Sequence, residues 1–280
     1  MNYLIVSPVK NEAEHIGYTL NSMLHQTILP TTWVIVDDGS TDRTAEIVKE
    51  VMRTAPWIQL IQKNNQSEQR SGGVKVVRAF NTGLLTVDYH AVDFIVKLDG
   101  DLELPDNYFE TIIQAFESDP KIGICGGYIL NKYGDEFIRE RSNDYHIRGA
   151  FKAVRTACFE QIGGFQETWN WDGLDEMTAF FYGWKTKVVD LPVKHFRPTS
   201  QAYNPYQHAV KSGTEYFKMR SSFLLTLLRF IARLPKRPYI GGACCFMYGY
   251  LKAVVKHEPR IIDRELGKFI NRFHYKRLFS

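Results

Sequence analysis

Phe94-Ile95-Val96-Lys97-Leu98-Asp99-Gly100-Asp101 is an apolar run that stops at two carboxylates separated by one glycine. A stretch of this length, rich in Ile and Val, reads as a buried strand. The acidic pair then falls at its C-terminal end, where open α/β sheets place their ligands. Two carboxylates this close repel each other in a low-dielectric cleft, and a divalent cation is the simplest agent that lets both stay ionised. Oxygen ligands of this kind suit Mg2+ or Mn2+, so the tripeptide reads as a metal and nucleotide site. Asp and Gly are also ordinary turn residues, and the same three residues fit a solvated turn between a strand and a helix.

Outward from this strand, the first hundred residues alternate strand and helix, the pattern of a parallel sheet with helices on both faces. Tyr3 to Val9 predicts a first strand that leaves the sheet at Pro8, which has no amide to donate. Ala13 to Gln26 carries Ile16, Leu20, Met23 and Leu24 at helical spacing. Trp33 to Val36 predicts a second strand, ending in Asp37-Asp38-Gly39-Ser40-Thr41-Asp42, before a helix marked by Ala45, Ile47, Val48 and Val51. Ser40, Thr41 or Asp42 can cap that helix, which accounts for one carboxylate but not for three. A strand over Ile58 to Ile61, a helix from about Val74 to Leu85, a helix over Asn107 to Ser118 and a strand over Ile122 to Gly126 follow. A doubly wound sheet brings the strand ends at Pro8 to Glu12, Asp37-Asp38 and Asp99 to Asp101 to one edge. No G-x-G-x-x-G or G-x-x-x-x-G-K-[ST] follows any of these strands, which argues against a Rossmann dehydrogenase and a P-loop NTPase.

The three strand ends, about 28 and then 62 residues apart, together resemble the family 2 glycosyltransferases with their GT-A fold. Downstream, Arg155 to Phe165 looks like the segment that precedes the acceptor site in that family, and Trp171-Asp172-Gly173-Leu174-Asp175-Glu176-Met177 looks like its acidic catalytic motif. The resemblance covers roughly residues 3 to 200. It implies a GT-A catalytic domain over 1–200, with a nucleotide-sugar half (1–101) and an acceptor half (102–200), and a basic helical extension over 201–280. It further implies that Pro8, Val9 and Glu12 border the base and ribose, that Asp37 accepts a hydrogen bond from the base, and that Asp38 supports that loop. Asp99 would touch the ribose and the metal shell, and Asp101 would bind the metal, Mn2+ or Mg2+. His195, at another strand end, would be a further metal or diphosphate contact, with Lys194 and Arg197 beside it. Arg70 and Lys75 are candidates for the diphosphate. The family inverts at the anomeric carbon by a single displacement, so one carboxylate base on the acceptor side suffices. The motif here reads Leu174-Asp175-Glu176 where the family has a Glu-Asp pair, which points to Asp175 as base with Glu176 as second choice. A carboxylate that merely favours a helix N-terminus is the competing reading.

The net charge of +4 hides an asymmetry. From Lys194 to Ser280 there are 17 Lys and Arg against 4 Asp and Glu, which leaves the rest of the chain acidic. Gly213 to Leu234 predicts one long helix with a wide apolar face, and Tyr239 to Leu251 carries no charge yet is shorter than the roughly 20 residues that span a bilayer. Basic side chains beside apolar faces suit an anionic membrane surface; helices that close the acceptor side with their lysines in water fit the same pattern. Nucleic acid is not expected, because no recognition motif accompanies the charge. Four cysteines without framework spacing and no signal-peptide pattern point to the cytoplasm, with peripheral attachment at the inner face of the membrane as a further expectation.

The resulting expectation is a metal-dependent, inverting glycosyltransferase, of hexosyltransferase class. It would take a nucleotide-diphosphate sugar as donor and a glycan, in one form lipid-linked, as acceptor, in polysaccharide or glycoconjugate biosynthesis. A sugar nucleotidyltransferase is the second class; it would require a glycine-rich basic loop after the first strand, where Ser7 to Glu14 has no glycine and only Lys10. A catalytically inactive glycan-binding or scaffold protein of the same fold is the third.

Overall fold

The structure is a computed structural model that describes residues 1–64, 73–197 and 204–278. The chain divides into two compact units, Met1–Pro198 and Thr199–Ser280. In the first, β1 (Tyr3–Val9), α1 (Ile16–Leu24), β2 (Thr32–Asp37), α2 (Thr44–Met52), β3 (Ile58–Gln62), α3 (Val74–Leu84) and β4 (Phe94–Leu98) alternate in sequence. Next come β5 (Leu102–Glu103), α4 (Tyr108–Ser118), β6 (Ile122–Tyr133), β7 (Glu136–Arg139) and β8 (Phe151–Arg155). The unit ends with α5 (Thr156–Gln161), α6 (Trp171–Phe181) and β9 (Lys185–His195).

Among the described residues these strands form one nine-stranded sheet in the order β3-β2-β1-β4-β8-β6-β9-β5, with β7 on β6. The first four are parallel; β8 is inserted antiparallel between β4 and β6. The pleat sends alternate residues of each strand into two cores. Tyr3, Ile5, Trp33, Ile35, Phe94, Val96 and Leu98 pack on the face covered by α1 and α4, while Leu4, Val6, Val34, Val36 and Ile95 pack on the face of α3, α5 and α6. Each fully buried side chain of this kind contributes about 1.5–3 kcal/mol of transfer free energy, which is why strands buried on both faces read as unbroken apolar runs.

Several expected boundaries shift. β1 keeps its register with β2 through Val9 opposite Asp37, whereas its pairing with β4 stops at Val6. The chain therefore stays in the sheet past Pro8, held from one side. β6 runs on to Tyr133, well beyond the expected Gly126, through an irregularity at Gly126 to Tyr128.

The second unit is helical, with α7 (Pro205–Lys218), α8 (Phe223–Arg233), α9 (Tyr239–Val255) and α10 (Arg264–Leu278). The single helix expected over Gly213 to Leu234 is two helices. Arg220 adopts a left-handed φ of 57°, and the Ser222 hydroxyl accepts from the Leu225 amide to cap the new helix. The α7 and α9 backbones nearly touch: a Cβ on Gly213 would lie 1.9 Å from the Phe246 carbonyl oxygen, and one on Gly249 would lie 2.0 Å from that of Val210. Only glycine fits at either point. Among the described residues no helix is long and apolar enough to cross a membrane.

Candidate active site

Parallel strands bring β1, β2 and β4 to the same edge, and the loops that leave them are bonded to one another. Asn11, itself at φ 51°, donates its amide to Ser40 Oγ (2.9 Å) and accepts the Thr41 amide at its side chain (2.8 Å). The Glu12 amide donates to Thr44 Oγ1 (2.8 Å) and that of Ala13 to Asp42 (3.0 Å). Asp42 also accepts from Thr44 and is thereby committed to this loop. Burial opposes its ionisation, but these hydrogen bonds outweigh that and hold the carboxyl below its usual value. Asp37 is buried at the end of β2 and accepts the Ser40 amide (2.8 Å). Asp38 pairs with Lys63 (3.2 Å), and the buried Lys10 ammonium donates to the Asp38 carbonyl (2.9 Å).

Gly100 explains how the Asp-Gly-Asp turn fits beneath these loops, since a Cβ there would lie 2.9 Å from Val9 Cγ1 and 3.4 Å from Glu12 Cγ. Asp101 is fully buried beside His195, whose Nε2 is 3.5 Å from its Oδ1. The β5–β9 pairing sets this up, because Leu102 lies opposite His195. Arg197 bridges the group: its Nε is 3.3 Å from Asp101 Oδ2, and its other end pairs with Glu12. Asn131 donates from Nδ2 to Glu140 (2.9 Å), so its Oδ1 is the acceptor that faces His195 Nδ1 at 3.0 Å. The Nδ1 contact with Asn131 fixes the ring so that Nε2 faces the Asp101 carboxylate. One nitrogen and one oxygen donor aimed at the same space fit a divalent cation.

Asp99 stands apart from that pair. Its carboxylate is bonded to the buried Lys97 ammonium. Among the described residues no three His, Cys, Asp or Glu side chains gather as a ligand set, so the expected trio of Asp99, Asp101 and His195 is not brought together. Arg70 lies outside the described residues, and Lys75 is exposed in the first turn of α3.

The acidic motif of α6 holds what the sequence reading missed. Asp175 and Glu176 are buried around Lys152, whose ammonium is 2.9 Å from both Asp175 oxygens, 3.2 Å from Glu176 Oε1 and 2.6 Å from the Asp172 carbonyl. Glu176 also accepts from the Ile147 amide (2.8 Å) and meets His146 Nδ1 (2.9 Å). Lys152 lies directly opposite Lys97 across β4 and β8, on the α6 face, and both ammonium groups stand over the Trp171 ring, at 5.5 and 5.7 Å. A lysine inside each of two apolar strands was the available signal. Asp172, one turn earlier, is only half-buried, and among the described residues no hydrogen bond to its carboxylate is seen. Its charge acts on His146, Arg148, Lys152 and Asp175. Beside this cluster opens a cavity of about 520 Å³ lined by Tyr128, Arg139, Arg141, Asn143, His146 and Arg148.

Burial pushes the Asp175 carboxyl up to about 7 against the opposing pull of Lys152. Burial disfavours protonated His146, but the hydrogen bond and charge of Glu176 outweigh it and raise the imidazole. Both groups bind a proton more tightly folded than unfolded. Stability should therefore decline as pH rises from the unfolded Asp value near ~4 through about 7, and the His146 contribution, complete below ~6.5, should be lost as pH passes its raised value. Denaturant midpoints should be higher at about pH 6 than at about pH 8, and His146→Gln should flatten the difference. A wild-type midpoint that increases over that interval would sink this account.

A sequence profile described as Glycosyl transferase family 2 matches residues 4–184. A chondroitin synthase of Pasteurella multocida is 25% identical over 166 residues, which is 58% of this chain and 17% of that protein. The chain thus spans less than a fifth of that relative's length. Staphylococcus aureus TarS 1-349, solved in complex with UDP-GlcNAc, superposes with a TM-score of 0.57 at 18% identity, over 95% of this chain and 77% of that one. The mannosyltransferase PcManGT of Pyrobaculum calidifontis, solved with GDP-Man and Mn2+, gives 0.55 at 16% identity, over 99% and 80%. At these identities the likeness is one of fold, the GT-A arrangement of a mixed sheet flanked by helices.

Proposed function

The chain belongs to glycosyl transferase family 2, and from that membership we propose that it moves a hexose from a nucleoside-diphosphate sugar onto a glycan hydroxyl by one inverting displacement. The observation that carries the reading is the pairing of Asp101 with His195 at the strand ends, under loops tied together by Asn11, Glu12 and Asp42. Asp37, the end of β1 at Pro8 and Val9, and Glu12 in the loop that follows take the base and ribose, with Asp38 supporting that loop, and Asp99, oriented by Lys97, faces the ribose. Asp101 and His195 would hold the cation, Mn2+ or Mg2+. Bound there, such a cation would supply positive charge against the negative charge that develops on the departing diphosphate. Arg197, already shared between Glu12 and Asp101, supplies fixed positive charge at the same place.

For the base we propose Asp172 in place of Asp175 or Glu176. A base must reach the acceptor hydroxyl with a lone pair to spare. Both oxygens of Asp175 are engaged by Lys152, and Glu176 is enclosed by Lys152, His146 and the Ile147 amide. Asp172 is the half-buried carboxylate of the cluster, and on this reading the acceptor would approach from the cavity that His146 and Arg148 line beside it. A glycan, in one form lipid-linked, fits that reading. The nucleotidyltransferase alternative is weakened because Lys10, the only lysine of its loop, is buried and bonded to a carbonyl.

The test is a thermal-shift screen of UDP, GDP, dTDP and CMP, each with and without Mn2+. One nucleotide should raise the melting temperature only with metal; a ligand at 100 times its dissociation constant adds about 2.7 kcal/mol. Asp101→Ala should remove the metal-dependent part. Equal stabilisation without metal would refute the cation site, and the absence of any shift would refute the donor reading.

A further inference from the structure

The helices of the second unit carry apolar residues that their own packing leaves exposed. On α9, Ile240, Cys244, Tyr248, Leu251 and Val255 recur at intervals of four, four, three and four residues, so they form one stripe along the whole helix. Ile240 is 67% exposed and Val255 76%, which excludes a core role for either end of the stripe. The opposite face, with Gly242, Phe246, Gly249 and Tyr250, is the one buried. Lys252 and Lys256 continue around the helix at the border of the stripe, and Lys236 and Arg237 precede its first turn. On α8, Phe223, Leu224 and Ile231 are likewise exposed. Between Glu215 and Glu258 the chain has no acidic residue and eight Lys or Arg.

We propose that this unit is a docking surface for an anionic lipid bilayer, with the α9 stripe entering the headgroup boundary and the bordering lysines and arginines facing lipid phosphate. An exposed apolar stripe costs free energy in water and gains it in the interface, and basic side chains at its border add attraction to anionic lipid. Charge decides the occupant. An apolar protein partner would need no basic border, whereas a zone without a single acid matches a surface that is negative everywhere. No helix needs to cross the bilayer for this, and the inference stands independently of the transfer reaction.

The experiment is co-sedimentation of the full chain with vesicles of phosphatidylglycerol and phosphatidylcholine in equal amounts, and with phosphatidylcholine alone. Binding should be confined to the anionic vesicles and weaken with salt. Each basic side chain near an anionic surface is worth about 1 kcal/mol, roughly fivefold in partitioning. Lys252→Glu with Lys256→Glu should therefore reduce binding by at least about 25-fold, and Tyr248→Ser with Leu251→Ser should reduce it without changing net charge. Unchanged melting temperatures keep either loss from being ascribed to unfolding, since all four side chains are exposed. Failure of the wild type to bind anionic vesicles, equal binding to neutral ones, or retained binding in either variant would overturn the proposal. So would self-association in sedimentation velocity that Tyr248→Ser with Leu251→Ser abolishes, which would assign the stripe to a second copy.

Discussion

Replacing Asp172 with asparagine is expected to lower kcat for sugar transfer by about 10²–10⁴-fold, the range a positioned general base contributes, with metal-dependent nucleotide binding unchanged. The amide keeps the shape of the side chain and the Lys152 bond to the Asp172 carbonyl, so the first turn of α6 should stay in place. What is removed is the lone pair that takes the hydroxyl proton. Asp175→Asn is the matched control. Its amide oxygen can still accept from Lys152, and the residue has no solvent access from which to reach an acceptor. It should keep turnover within about tenfold of the wild type, well short of the loss expected for a general base. The opposite pattern, with Asp175→Asn inactive and Asp172→Asn active, would return the base to Asp175. Donor binding by the diphosphate screen separates either result from a collapsed site.

The course of the sheet was legible because strands buried on both faces carry an unmistakable apolar run, and because Asp37-Asp38 and Asp99-Gly100-Asp101 stop those runs abruptly. Phe151 to Arg155 escaped notice as a strand. It is short, it carries a lysine, and its antiparallel insertion between β4 and β6 depends on partners remote in sequence. The break between α7 and α8 escaped because apolar spacing continues across it, and only the left-handed Arg220 and the Ser222 cap interrupt the helix. The site was legible as types and blurred as roles. Three carboxylates within five residues, Asp172, Asp175 and Glu176, differ in what they face, and that depends on Lys152, which lies on another strand. Asp99 illustrates the same limit: its partner Lys97 is two residues away, but whether the ammonium turns to it or to solvent is set by burial against Trp171.

Lys152→Met should destabilise the first unit by about 3–5 kcal/mol, the cost of breaking a buried ion pair by removal of one partner. Lys152 has no exposed surface, and it donates to Asp175, Glu176 and a main-chain carbonyl at once. Methionine replaces the stem of the side chain with similar volume, so lost packing contributes little. The penalty comes from two buried carboxylates left without the ammonium between them, with His146 in contact with Glu176 and the charge of Arg148 further off. Two consequences distinguish this origin from general damage. The variant should regain stability as pH falls, because protonation discharges the carboxylates that Lys152 no longer balances. Adding Asp175→Asn and Glu176→Gln should restore much of the loss, since a neutral hydrogen-bonded cluster needs no counter-ion. Denaturant unfolding of the three proteins across pH measures both. A loss below about 1 kcal/mol, within the range of a surface pair, would mean that Lys152 does not balance these charges. Because the same ammonium holds the Asp172 carbonyl at 2.6 Å, the methionine variant should also lose turnover at temperatures where it remains folded. The triple variant should recover stability without recovering transfer, which separates the charge that Lys152 balances from the helix turn that it positions.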